Sequence, residues 1–108
     1  MPIADPTLRA HTFLAEMIAD SYFPRALIAD GQRILVELCE AIERERPADG
    51  EGIYALTRAA TERFNELCDV YEEIETAARE AIAGDFDRIL RTYGYAIDLE
   101  EAISDRDW

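Results

Sequence analysis

Nucleophilic catalysis needs a serine or cysteine beside a general base, and few residues of this chain suit either role. His11 is the only histidine, Cys39 and Cys68 are the only cysteines, and the two serines lie at predicted helix ends. Both cysteines occupy apolar positions of predicted helices, so we expect reduced, buried thiols. A cysteine that meets His11 in the folded chain is the alternative, and no motif supports it. The residue types therefore favour a protein that is not an enzyme.

A metal or phosphate site has little more support. Di-iron helical bundles use Glu-x-x-His pairs on two helices, and the sequence contains none. Asp85-Phe86-Asp87 begins like a calcium-binding loop but lacks its glycine and terminal glutamate. Gly50-Glu51-Gly52 is too short and too acidic to hold a phosphate group. We therefore predict neither a cofactor nor a bound metal.

The charge of the chain is strongly one-sided. There are 24 acidic and 11 basic residues, which gives a formal net charge of −13 at pH 7. Nucleic acids and anionic membranes bind cationic surfaces, so neither is an expected partner. The sequence has no apolar run of the roughly 20 residues that span a bilayer, and its N-terminus lacks the pattern of a signal peptide. We expect a bacterial-type, cytoplasmic protein, and a partner selected by charge would be basic.

Apolar residues recur every three or four positions along most of the chain, which predicts an all-α protein. A first helix is predicted to run to about Asp20 with Thr7 as its N-cap, and a second begins at Pro24. Gly31, in the interior of the second helix, indicates close helix packing. No strand-like alternation competes with this pattern. We predict a compact up-and-down bundle of four to five helices, with residues 1–108 forming a single domain.

The clearest periodicity predicts a long amphipathic helix from about Ile53 to about Ile82, around which the bundle would be built. One helix of that length would measure about 45 Å, more than the width of a domain of this size. The sequence leaves two alternatives, a helix that bends or two helices separated by a break near Asp69 to Glu73.

The C-terminal part is predicted to contain a shorter helix that begins at Gly84 and stops at Gly94. A last helical turn follows, with Asp98 as its N-cap. Trp108 either folds back on the core or remains exposed as an anchor, and both alternatives fit an aromatic residue with a polar group.

Acidic residues share the solvent side of the predicted long helix: Glu62, Glu66, Asp69, Glu73 and Glu80. Like charges four residues apart destabilise a helix slightly, so the row does not support the helix itself. One interpretation is a solvated face that maintains solubility. The other is a docking surface that steers in a cationic partner, with Glu62, Glu66, Asp69 and Glu73 as the partner-binding residues.

Polar residues line the flank between the core and this acidic side: Thr57, Thr61, Asn65, Glu72, Glu75 and Arg79. The structural interpretation is that they form hydrogen bonds within the bundle. The functional alternative is a polar pocket in which Glu72, Glu75 and Arg79 bind a small molecule or a divalent metal.

Several stretches together resemble one bacterial family: Tyr22-Phe23-Pro24, Ala60-Thr61-Glu62-Arg63-Phe64-Asn65, Glu73-Ile74-Glu75-Thr76-Ala77-Ala78-Arg79, Asp85-Phe86, Tyr93-Gly94 and Arg106-Asp107-Trp108. The chain is similar, from about Thr12 to Trp108, to the family known as domain of unknown function 5713. The resemblance implies a small stand-alone helical protein, and it carries over no functional residues because the family has no assigned activity. Family members commonly have a longer turn before the Glu73 stretch. This chain is shorter there, so the resemblance leaves open whether the long helix is continuous or split.

Three hypotheses for function follow from these features. The first is a small acidic interaction protein, an immunity or antitoxin-type inhibitor that neutralises a basic partner. The second is a helical bundle that binds a small molecule or a divalent metal. The third is a homo-oligomer in which the long helix pairs with its copy.

Overall fold

The computed structural model describes residues 3–20, 23–71 and 76–108, and every regular element in these ranges is a helix. In chain order the helices are α1 (Pro6–Ala10), α2 (Ala15–Ile18), α3 (Arg25–Glu45), α4 (Gly50–Tyr71), α5 (Thr76–Thr92) and α6 (Leu99–Ala102). The predicted all-α class is confirmed. None of these helices, within the described ranges, is long and apolar enough to cross a membrane.

The three long helices α3, α4 and α5 run up, down and up. Arg63 on α4 forms an ion pair with Glu37, near the middle of α3. The ring of Phe64 lies 5.9 Å from that of Phe86 on α5. Tyr93, just after α5, donates a hydrogen bond to Glu43 near the end of α3. The predicted up-and-down bundle is therefore confirmed, with α1, α2 and α6 as additional short helices.

The contact between Phe64 and Phe86 excludes one continuous helix from Ile53 to Ile82. Phe86 lies on the same helix as Ile82, and 22 residues of helix would separate the two rings by about 33 Å instead of 5.9 Å. α4 ends at Tyr71, inside the predicted break, and α5 begins at Thr76. The single long helix is therefore wrong, and the alternative of two helices is right.

The helix predicted to begin at Gly84 is also part of α5, because Gly84 lies in its interior. The predicted stop is confirmed, since Gly94 follows α5 with a φ of 83° that favours glycine. Asp98 is the N-cap of α6, where its side chain accepts a hydrogen bond from the Glu100 N–H.

The first predicted helix is two short helices instead of one. Asp5, and not Thr7, is the N-cap of α1, and its carboxylate accepts a hydrogen bond from the Leu8 N–H at 2.9 Å. Leu14, between α1 and α2, has a φ of 58°, which is uncommon for a residue other than glycine. Its N–H donates to the Asp85 carboxylate at 2.7 Å, and its side chain is buried. Tertiary contacts therefore outweigh the local periodicity at this point.

One hydrophobic core extends through the bundle. The largest fully buried side chains are Phe64, Phe86, Leu8, Leu14, Met17, Leu27, Leu35, Ile53, Ile82, Ile89, Leu90 and Ile103. The C-terminal segment folds back on this core, so Trp108 is not a free anchor. Its ring lies 6.1 Å from that of Phe64, and the Arg106 guanidinium lies 5.7 Å from the centre of the indole.

Two glycines inside helices provide a matched test of this packing. A Cβ atom on Gly84 would have no neighbour within 4 Å, so we expect Gly84→Ala to raise the free energy of unfolding by about 0.5–1 kcal/mol. A Cβ atom on Gly31 would lie 2.8 Å from Leu14 Cδ1 and 3.3 Å from Phe64 Cε1. Because overpacking costs about 1–3 kcal/mol, Gly31→Ala should lower the stability despite the same gain in helix propensity. Urea unfolding followed by circular dichroism measures both changes, and an equal stabilisation by the two substitutions would contradict the packing described.

Candidate functional site

The outer side of α4 carries three exposed carboxylates, Glu62, Glu66 and Asp69, spaced about one turn apart. We call these three residues the acidic face. Within the described ranges, none of them has an ion-pair partner. Glu73, the fourth predicted partner-binding residue, lies outside the described residues. Glu80 is exposed on α5, and because α5 is a separate helix it does not extend the row.

A groove with a volume of about 310 Å³ lies beside the acidic face, between α3 and α4. Its lining residues are Asp30, Arg33, Ile34, Arg63, Glu66, Leu67 and Val70. Ile34 and Leu67 are buried, whereas Val70 is 74% exposed. The groove therefore has an aliphatic part, in which only Val70 is exposed, and a part lined by charged side chains.

In the described chain, some of the charged side chains that line this groove have an ion-pair partner and others do not. Arg63 is paired with Glu37, and Arg33 lies 3.9 Å from Asp30 one turn earlier on α3. Glu66 has no such partner among the residues that the structure describes. The uncompensated charge at the groove is therefore negative, and it is continuous with the rest of the acidic face.

The flank of α4 has structural roles that use its polar groups. Thr57 and Thr61 are fully buried, and their hydroxyls donate to the carbonyls of Tyr54 and Thr57 within α4. Asn65 donates to the Asp105 carbonyl and accepts from the Asp107 N–H, both at 3.0 Å. This side chain therefore holds the C-terminal segment on α4.

The predicted polar pocket has one described member. Arg79 is exposed on α5, whereas Glu72 and Glu75 lie outside the described residues. Across residues 3–20, 23–71 and 76–108, no group of three or more His, Cys, Asp or Glu side chains is placed to hold a metal ion.

Both cysteines are free thiols that suit packing better than catalysis. Burial, reinforced by the charge of Glu43, raises the pKa of the Cys39 thiol to about 12. Burial, reinforced by nearby carboxylates, raises the pKa of Cys68 to about 11. A thiol with a raised pKa is protonated at neutral pH and is a poor nucleophile. Cys39 is fully buried, as predicted, and Cys68 only partly.

His11 pairs with a carboxylate and not with a cysteine. Its Nε2 lies 2.9 Å from Asp85 Oδ1, while the other oxygen of this buried carboxylate accepts the Leu14 N–H. Neither the calcium-like pattern Asp85-Phe86-Asp87 nor the family resemblance predicts this pairing. A signal was available, because Asp85 lies on the apolar stripe of α5, four residues from Ala81 and from Ile89. A charged residue on a buried stripe indicates a buried partner.

Glu43 forms a second polar site that periodicity did not reveal. Its carboxylate accepts hydrogen bonds from the Ala4 N–H at 2.8 Å, the Asp5 N–H at 3.0 Å and the Tyr93 hydroxyl at 2.5 Å. Burial alone would raise the pKa of Glu43. The three hydrogen bonds and the charge of Arg9 outweigh that effect, and the pKa lies below its ordinary value. The carboxylate therefore holds the N-terminal segment against α3 and α5.

A comparison with models of known protein families shows to which family the chain belongs. The model of the "Family of unknown function (DUF5713)" matches residues 7–108. The chain belongs to this family. The resemblance inferred from the sequence is thus confirmed over nearly the whole chain. No curated protein and no solved structure matched the DUF5713 chain.

The residues that carry the family resemblance include those that hold this DUF5713 chain together. Phe64, Phe86 and Trp108 form an aromatic cluster in the core. Asn65 and Asp85 hold two chain segments through hydrogen bonds to their backbone. These five residues of the resemblance therefore have structural roles, whereas Glu62, which also belongs to the resemblance, is exposed on the acidic face.

The role of Asp85 can be tested by substitution. We expect Asp85→Ala to lower the free energy of unfolding by about 2–3 kcal/mol, because the buried Leu14 N–H loses its charged acceptor. Asp87→Ala is the matched control on the same helix, where the exposed ion pair with Arg91 contributes about 0.5 kcal/mol or less. Urea unfolding measures both variants. Equal losses would show that Asp85 does not hold the α1–α2 connection.

The lowered pKa of Glu43 predicts a dependence of stability on pH. Because the pKa is lower in the folded state than in the unfolded state, the unfolded chain binds the proton more readily. The contribution of Glu43 is complete above the unfolded pKa of 4.5 and is lost as the pH falls through the lower folded value. The stability difference between the wild type and Glu43→Gln should therefore shrink on acidification. Urea titrations from neutral to acid pH measure it, and a difference independent of pH would refute the assignment.

Proposed function

We propose that this protein is a small interaction protein that binds a basic protein partner through the acidic face of α4. The observation that carries the proposal is the row of Glu62, Glu66 and Asp69, which is exposed and lacks ion-pair partners among the described residues. A row on one helix has a rigid spacing, and ordering it on binding costs little backbone entropy. Because the chain as a whole carries a net charge of −13, its field would also speed the approach of a cationic protein.

A role in solubility alone explains the three neighbouring carboxylates of the acidic face less well than a docking role does. Elsewhere in the described chain many carboxylates are engaged: Asp5, Glu37, Glu43, Asp49, Asp85, Asp87, Asp98 and Glu100 accept hydrogen bonds. The acidic face, in contrast, places three unengaged carboxylates within two turns of one helix. A docking role explains both their proximity and their lack of partners.

A more specific form of the proposal is an immunity or antitoxin-type inhibitor. A rigid helix face can occlude the cationic active site of a toxin without any chemistry of its own, while arginines and lysines of the toxin pair with the carboxylates. The raised pKa values of both thiols fit a role that does not use a cysteine nucleophile.

Charge reversal tests this proposal with a matched control. The probe is the basic protein that copurifies with the wild type in a native pull-down, titrated calorimetrically against the wild type and two triple variants. Glu62→Arg/Glu66→Arg/Asp69→Arg should weaken binding at least about tenfold, since each close charge pair contributes about 1.5 kcal/mol or more. Glu45→Arg/Glu80→Arg/Glu101→Arg changes the net charge equally at exposed positions on other helices and should retain most of the affinity.

Three results would count against the proposal. Equal weakening by both triple variants would show that only the net charge matters. Wild-type affinity in the face variant would remove the acidic face from the interface. A native pull-down with the wild type that recovers no basic protein would contradict the inhibitor form.

A further inference from the structure

Val70 is one of two large apolar side chains that are strongly exposed in the described chain, and Ile18 is the other, at 52%. A single exposed apolar residue is ordinary on a protein surface and needs no explanation. Val70 differs in its surroundings, because it lines the α3–α4 groove together with Ile34 and Leu67. The exposed aliphatic surface is therefore continuous with a recess.

The size of this recess restricts what it can hold. Its volume of about 310 Å³ is at the lower end of the range of about 300–1,000 Å³ for sites that bury small ligands. An aliphatic side chain from another protein would occupy part of this volume and cover Val70. Burial of one such side chain is a substantial contribution to an interface, and central apolar anchors of this kind often dominate binding.

The charges around the recess indicate which neighbours that side chain would have. Arg33 and Arg63 are already paired with carboxylates of α3, so they do not call for an anionic partner. Glu66 lines the same recess and has no ion-pair partner among the described residues. An arriving segment thus meets an aliphatic surface with an uncompensated negative charge beside it.

We infer that the α3–α4 groove binds an aliphatic side chain of the basic partner, presented next to an arginine or lysine that pairs with Glu66. This inference rests on the proposed function and adds the chemistry of the bound segment to it. A second copy of this chain is a poorer occupant, because each copy carries a net charge of −13 and the two acidic faces would repel each other.

Two synthetic peptides of equal length and charge separate the aliphatic contribution from the cationic one. One consists of Arg-Leu-Ser repeats and the other of Arg-Ser-Ser repeats, and fluorescence anisotropy measures their affinities. The wild type should bind the Arg-Leu-Ser peptide about five- to tenfold more tightly, since the leucine is partly removed from water. Val70→Ser should abolish this preference and leave the affinity for the Arg-Ser-Ser peptide unchanged.

Ile18→Ser is the matched control, because it removes the other exposed apolar side chain and should leave the preference intact. Both substitutions are at exposed positions and should change the stability by about 0.5 kcal/mol or less, which a urea titration verifies. Chemical shift changes in the Arg-Leu-Ser complex should include Ile34, Leu67 and Val70.

The outcomes separate the inference from the proposed function. A preference for the Arg-Leu-Ser peptide that persists in Val70→Ser, or a wild type without this preference, would overturn the aliphatic site. In either case, loss of binding to both peptides on charge reversal of the acidic face would still support the proposed function. Peptide affinities that are unchanged by the charge reversal would contradict both the inference and the proposed function. A wild type that sediments as a dimer and a Val70→Ser variant that sediments as a monomer would assign the groove to a second copy and overturn the inference.

Discussion

Phe64 is buried at the point where the three long helices and the C-terminal segment meet. It contacts α5 through the ring of Phe86 and the C-terminal segment through the ring of Trp108. On the α3 side, a Cβ atom at Gly31 would lie only 3.3 Å from the Phe64 ring, so the absence of a side chain at Gly31 permits the close approach. Since interiors are packed at nearly crystalline density, this contact region constrains how closely α3, α4 and α5 approach one another.

Each long helix also contributes at least one polar side chain that holds a less regular segment. Glu43 on α3 binds the backbone of residues 4 and 5, Asn65 on α4 binds that of residues 105 and 107, and Asp85 on α5 binds Leu14. These segments have few backbone hydrogen bonds of their own. The Leu14 N–H is buried, and a buried N–H without an acceptor costs more than an ordinary hydrogen bond contributes, so Asp85 determines where this segment lies. The bonds of Glu43 and Asn65 are more exposed and contribute the smaller, ordinary amount.

This division of roles limits where function can lie. The apolar side of α4 forms the core, and the flank of Thr57, Thr61 and Asn65 is committed to internal hydrogen bonds. The outer side, with the acidic face and Val70, has no such commitment in the described chain. Because α4 ends at Tyr71, the acidic face of Glu62, Glu66 and Asp69 is a short surface of about 10 Å along the helix axis. Such a surface is suited to a localised contact next to the α3–α4 groove.

Local patterns were sufficient to predict much of this protein. Helix periodicity predicted the all-α class, most of α3 and α4 and their buried faces, and the special residues Gly94 and Asp98 marked real helix ends. The exposure of Glu62, Glu66 and Asp69 also followed from periodicity, since it depends only on angular position around one helix. The division between α1 and α2, the pairing of His11 with Asp85 and the position of Trp108 did not follow. Each depends on groups tens of residues apart in the chain that meet only after the helices pack, and no local pattern encodes that distance.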